Sequence, residues 1–148
     1  MSFMRRRGKF PKKKNKKIKN ATPLEYDGIK FKSKLEAFCY RHLKENGIEA
    51  EYEKNTYVLI PAFEYNGEKV RQCTYTPDFV NKHEGFVIEI KGFANDVFPI
   101  KWKMFKYLLN SLKSKYKLYL PKNQSEVLSV IQSIKSKQHE ITKNISRT

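Results

Sequence analysis

Three residues in the middle of the chain have types and spacing that could do chemistry: Asp78, Glu89 and Lys91. Asp78 stands in Thr76-Pro77-Asp78-Phe79, and the other two in Val87-Ile88-Glu89-Ile90-Lys91-Gly92. Alternate side chains of a strand share a face, so Glu89 and Lys91 point one way while Ile88 and Ile90 point into the core. A turn over Asn81 to Gly85 brings Asp78 back beside Glu89, and Pro77, which has no N–H, suits a strand start or edge. Two adjacent carboxylates repel, and one protonates unless a cation separates them. A hard divalent ion resolves the conflict with oxygen ligands and retained waters. Asp78 and Glu89 are the candidate ligands, with the Ile90 carbonyl as a third. Such an ion polarises a phosphate and acidifies a water, and Lys91 can position that water or stabilise the transition state.

A Glu-x-Lys triplet on a solvated hairpin also arises as an ordinary surface pair. What sets this one apart is Pro77-Asp78 before it, the strand around it and the charge of the chain. Lys and Arg number 31 against 15 Asp and Glu, a net charge of +16. That excess favours a polyanionic partner through counterion release. Charge alone suits a nucleic-acid-coating protein as well as an enzyme. The three histidines and two cysteines are scattered, without the spacing of a zinc site.

The elements that must position these residues follow from periodicity and punctuation. Leu35, Phe38, Cys39, His42 and Leu43 predict a helix over Lys34 to Asn46, with Ser33 as N-cap and Gly47 as stop. Glu36 lies at the edge of its apolar face, where Ser33-x-x-Glu36 also reads as a capping box. Strands are expected at Tyr52 to Ile60, Val70 to Tyr75 and Phe86 to Lys91, with a hairpin turn at Asn66-Gly67. A second helix starts between Asp96 and Pro99 and buries Ile100, Met104, Phe105, Leu108 and Leu109. A strand at Tyr116 to Leu120 and a last helix from a Ser125 cap to Lys137 complete the domain. The fold class is α/β, a mixed β-sheet flanked by helices in the order α-β-β-β-α-β-α.

Residues 1–20 hold ten Lys or Arg and no acid, a block expected to be disordered until it meets phosphate. The domain is expected over 21–137, with a tail at 138–148. Arg5, Arg6, Arg7, Lys12, Lys13, Lys14, Lys16 and Lys17 of the arm, and Lys101, Lys103 and Lys106 of the second helix, are the candidate nucleic-acid contacts. No apolar run approaches the roughly 20 residues of a membrane span, and no apolar segment follows the basic N-terminus as in a secretory signal. A cytoplasmic location with no membrane partner is expected.

Pro77-Asp78, Glu89-Ile90-Lys91 and the upstream Glu36 resemble the PD-(D/E)XK nuclease signature. Small phage-type, junction-resolving endonucleases of the endonuclease I kind share more: Ser33-x-x-Glu36, Asn46-Gly47-Ile48 followed by Tyr52-Glu53, and Tyr75 to Phe79. The resemblance covers roughly residues 30–92. It implies a restriction-endonuclease-like core and a phosphodiester hydrolase that uses Mg²⁺ or Mn²⁺ to cut DNA, branched or four-way junctions in particular. Carried across, Asp78, Glu89, Ile90 and Glu36 hold the metal, and Lys91 is the catalytic lysine. A homodimer is implied too, since a junction takes paired cuts, as is a phage origin with action in the host cytoplasm. The alternative is a non-catalytic nucleic-acid-binding protein that retains the fold.

Overall fold

A computed structural model describes residues 24–91 and 97–147. The expected basic arm, Gly92 and Asp96 lie outside the described residues. The chain opens with a hairpin, β1 (Leu24–Tyr26) and β2 (Ile29–Phe31), turned by Asp27-Gly28. Helix α1 (Lys34–Glu45) follows, then β3 (Glu51–Tyr52), β4 (Tyr57–Ile60), β5 (Phe63–Tyr65), β6 (Glu68–Val70), β7 (Cys73–Tyr75), β8 (Phe79–Asn81) and β9 (Phe86–Ile88). Helix α2 (Phe98–Ser111), β10 (Lys117–Tyr119) and α3 (Gln124–Ile145) complete the order.

The protein is a mixed α/β structure whose central sheet has the strand order β10-β9-β8-β3. Strand β10 runs parallel to β9 across the α2 crossover, and the other neighbours are antiparallel. Side-chain alternation splits the core into two layers. Phe79, Phe86, Ile88 and Ile90 meet Cys39 and Leu43 of α1 and Val127, Ile131 and Ile134 of α3 on one face. Val80 and Val87 meet Phe98, Trp102, Phe105 and Leu109 of α2 on the other, along with Tyr75. The sheet is therefore covered on both faces, and nearly every residue of β8 and β9 is apolar.

Several expected elements differ from those observed. The strand expected over Tyr52 to Ile60 is two strands in two sheets. Glu53 takes a left-handed φ of 47° and donates its N–H to the Asp78 carbonyl at 2.8 Å, which turns the chain out of the central sheet. The expected Val70 to Tyr75 strand likewise divides, its first residue closing the β5–β6 hairpin and its last three pairing β4. Residues 138–145, expected as tail, continue α3. Its N-cap is Asn123, not Ser125: the Asn123 Oδ1 accepts from the Glu126 N–H at 2.9 Å. The buried stripe of α2 is Phe98, Trp102, Phe105 and Leu109, rotated away from Ile100, which is exposed. No helix among the described residues is long and apolar enough to cross a membrane.

Candidate active site

Register places the acid pair. Phe79 stands opposite Ile88 in the antiparallel β8–β9 hairpin, so one step outward Asp78 stands opposite Glu89. Both are buried, at 8% and 5% exposure. The Asp78 Oδ2 accepts from the Ile90 N–H at 2.7 Å, and the Asp78 N–H reaches the Glu89 Oε2 at 3.3 Å. The strand carrying Glu89 ends formally at Ile88, yet its edge stays tied to the next segment. Glu89 N–H donates to the Tyr119 carbonyl at 3.0 Å and Lys91 N–H to the Pro121 carbonyl at 3.1 Å. Alternation thus holds through Lys91, whose Nζ lies 3.1 Å from the Glu89 Oε1 and 3.8 Å from the centre of the Phe98 ring.

Electrostatics at the pair follow from burial. Desolvation and the adjacent Glu89 push the Asp78 carboxyl up to about 8, against the pull of the Ile90 N–H. Tyr75, not assigned a role from sequence, donates its hydroxyl to the Glu89 Oε2 at 2.6 Å, and its own ionisation is pushed up by burial and by Glu89. Glu89 therefore has a phenol on one oxygen and an ammonium on the other.

Glu36 sits inside the buried face of α1, not at its edge, with 7% exposure. It serves the helix start: Ser33 Oγ accepts from the Glu36 N–H at 3.1 Å, and the carboxylate accepts from the Ser33 hydroxyl at 2.9 Å and the Lys32 N–H at 3.2 Å. The reciprocal bond of this cap goes to the residue before Ser33. Tyr52 donates a further hydrogen bond to Glu36 at 2.5 Å. Glu36 also faces Asp78 closely enough to raise its pKa, as does Glu53. Lys32, ion-paired with Glu53, completes this side. Tyr52, Glu53 and Tyr75 all lie within the passages that carry the resemblance, and only the folded geometry gives them partners.

Glu89 opens on a cleft of about 440 Å³ lined also by Lys32, Thr74, Tyr75, Lys91 and Lys101, with Asp78 behind it outside the lining. Lys101 is held there by a 3.0 Å bond to the Thr74 carbonyl. Lys103 and Lys106 do not line this cleft; they flank a neighbouring groove that shares Lys91 and Phe98 with it. A cavity of similar volume, about 430 Å³, opens at the other end of the strands, where Glu84 is its single carboxylate. Cys39 is buried beneath the site, and burial with Asp78 and Glu36 pushes its thiol up, so it behaves as core.

The donor set suits a hard divalent cation: two buried carboxylates, one of them pushed toward its neutral form by burial and by the other, and no soft ligand. No group of three or more His, Cys, Asp or Glu among the described residues is gathered into a metal cage. Mg²⁺ commonly binds through one or two carboxylates with waters, so the Asp78–Glu89 pair fits it without a third acid.

Fold and site together define a mixed α/β protein with a buried acid pair and a lysine at the mouth of a cationic cleft. The chain belongs to the family described as "Protein of unknown function (DUF1064)", which matches residues 14–125 and so spans every site residue from Glu36 to Lys106. Comparisons with curated proteins and with solved structures found no match.

Proposed function

We propose that this protein is a metal-dependent endonuclease that hydrolyses phosphodiester bonds in DNA, branched DNA by preference, and that its sheet and helices are a form of the restriction-endonuclease-like core of PD-(D/E)XK nucleases. The observation that carries the reading is the buried pair Asp78 and Glu89, with the Asp78 carboxyl pushed up by burial and by its neighbour, and with Lys91 beside Glu89 at a lysine-lined cleft. Asp78 and Glu89, with the Ile90 carbonyl, are the residues that would hold Mg²⁺ or Mn²⁺. The chemistry supplied there when the cation is bound is polarisation of a phosphoryl oxygen and acidification of water. Tyr75 orients Glu89, and the Lys91 ammonium neutralises charge that builds on the phosphate in the transition state. Lys32 and Lys101 draw the backbone into the cleft, and the net charge of +16 adds affinity for DNA. Glu36 holds the start of α1 and adds negative potential at Asp78. Action in the cytoplasm, and as a homodimer on junctions, belongs to the same proposal.

A second reading has its own support. Every carboxylate of the site is hydrogen-bonded to donors of the chain itself, which suits a non-catalytic DNA-binding protein that keeps the fold. Cleavage of supercoiled plasmid and of a synthetic four-way junction separates the two. Cutting is expected with Mg²⁺ and is expected to vanish in excess EDTA and in Glu89→Gln. Tight binding with no cutting under any divalent ion selects the second reading.

A further inference from the structure

Helix α2 is apolar on two nearly opposite faces. Phe98, Trp102, Phe105 and Leu109 are buried against the sheet. Ile100, Met104 and Tyr107 each follow one of the first three by two positions, about 200° around the helix. With Leu108 they form a second stripe in the i, i+4, i+7, i+8 pattern of a packed helix face. Ile100 and Tyr107 are 62% and 74% exposed, Met104 and Leu108 are half-buried, and exposed Lys103 borders the stripe. A second apolar surface stands on the ribbon made by β4–β7 and β5–β6, two paired stretches of one long hairpin outside the central sheet. Tyr57 and Leu59 root the ribbon in the α2 core, but from Pro61 to Gln72 every residue except Val70 is exposed. Register sets Phe63 against Val70 and Tyr65 against Glu68, so these four share one face.

We propose that a second copy of this chain covers both surfaces at once: the β5–β6 end of one copy's ribbon lies on the outer stripe of the other copy's α2, and the reverse, across a two-fold axis. The inference names the seam of the homodimer in the function proposed above, and rests on that reading for its purpose, paired cuts at one junction. A two-stranded hairpin is marginal at best in water and needs its apolar face packed on something. A helix apolar on both sides is ordinarily buried on both. Phe63 and Tyr65 supply aromatic anchors, and Ile100, Met104 and Leu108 the apolar bed that receives them. Charge matches as well, since Glu68 stands on the ribbon's apolar face and Lys103 at the margin of the stripe. DNA is a poor occupant: within residues 57–75 Glu64 and Glu68 offset Lys69 and Arg71, so the ribbon has no net charge in a chain of +16, and the stripe itself offers phosphate no cation.

Sedimentation of the full chain, in EDTA and without DNA, over a range of concentrations is the test. A reversible dimer is expected. Ile100→Asp and Tyr65→Asp change side chains that are 62% and 63% exposed, so each copy should still fold, as far-UV circular dichroism checks. A lost anchor at about ten-fold counts twice in a two-fold dimer, so each variant should raise the dissociation constant roughly a hundred-fold. Which surfaces meet is read by mixing Glu68→Cys chains with Lys103→Cys chains and adding a bismaleimide. Covalent dimers are expected well above the level that either variant, or the parent with Cys39 and Cys73 alone, gives by itself. A monomer at every concentration overturns the proposal, as does a dimer that neither Asp variant weakens. Cross-linking of one variant alone as strong as that of the mixture overturns it too, because the stripe would then face its own copy or the ribbon would. Mg²⁺ and plasmid are added last: cutting by a monomer leaves the nuclease reading standing and ends this inference, and the expected dimer without cutting does the reverse.

Discussion

Asp78→Asn should make the metal-free protein more stable while it destroys metal binding, and the structure sets the size and pH window of the effect. In the folded chain the Asp78 carboxyl titrates at about 8, against an ordinary value of 3.8, because it is buried against Glu89. Below the ordinary value both folded and unfolded chains are protonated, and the group contributes nothing to stability. As the pH rises, the unfolded chain loses its proton first, so unfolding becomes easier with each step until the folded carboxyl also ionises near 8. From 3.8 to pH 7, at about 1.4 kcal/mol per pH unit, the loss reaches at most about 4 kcal/mol. Asparagine keeps an oxygen for the Ile90 N–H, bonded at 2.7 Å in the parent, and carries no charge toward Glu89. Urea denaturation of both proteins in EDTA across pH 4 to 8 is the assay. The wild-type midpoint is expected to fall over that range relative to the variant. Saturating Mg²⁺ at 100 times its dissociation constant should then return about 2.7 kcal/mol to wild type and almost nothing to Asp78→Asn. Superimposable pH profiles for the two proteins in EDTA would refute the reasoning, since the pair would then carry no mutual penalty.

Lys91→Ala should lower the cleavage rate by roughly 10²–10³ while DNA affinity scarcely changes, whereas Lys82→Ala, in the exposed turn of the β8–β9 hairpin, should leave both unchanged; single-turnover cleavage and filter binding check this. Glu36→Gln should cost stability, on the order of 0.5–2 kcal/mol as for loss of a cap, and a cleavage loss far beyond what residual folding explains would give Glu36 a direct part in the site. Deleting residues 1–20 should flatten the log–log salt dependence of DNA binding by roughly 0.9 for each phosphate the arm neutralises in the full chain; an unchanged slope would show that the arm's ten basic residues touch no DNA.

The meeting of Asp78, Glu89 and Lys91 was legible in the sequence because a strand's two-residue period is rigid. Once Ile88 and Ile90 face a core, Glu89 and Lys91 must share the other face, and a short hairpin leaves Asp78 few places to go. Helix α1 was legible for a similar reason, with Ser33 and Gly47 marking its ends. The losses came where local signals compete with tertiary pairing. Asp27-Gly28 carries the same hairpin signature as Asn66-Gly67, and both take positive φ at both positions, but the strands it joins are only three residues each, too short to show a period. The break at Glu53 depends on a bond to Asp78, 25 positions later, which no window of sequence contains. Ile100 and Trp102 are both apolar, and which of them turns inward is decided by Tyr75, Val80 and Val87 across the interface, not by α2 alone.

The parallel pairing of β9 with β10 has a consequence for the order of events during synthesis. The backbone of Glu89 and Lys91 is held from outside by Tyr119 and Pro121, which reach it only after the whole of α2 has been made and has crossed the sheet. Long-range parallel pairing of this kind forms late, because the loop must close before pairing rewards it. At roughly 5–20 residues per second of elongation, a growing chain carries Asp78, Glu89 and Lys91 for seconds before the strand that aligns them exists. If the chain is the nuclease proposed above, its cutting would wait until the 117–121 segment is in place, close to where the family match ends at residue 125.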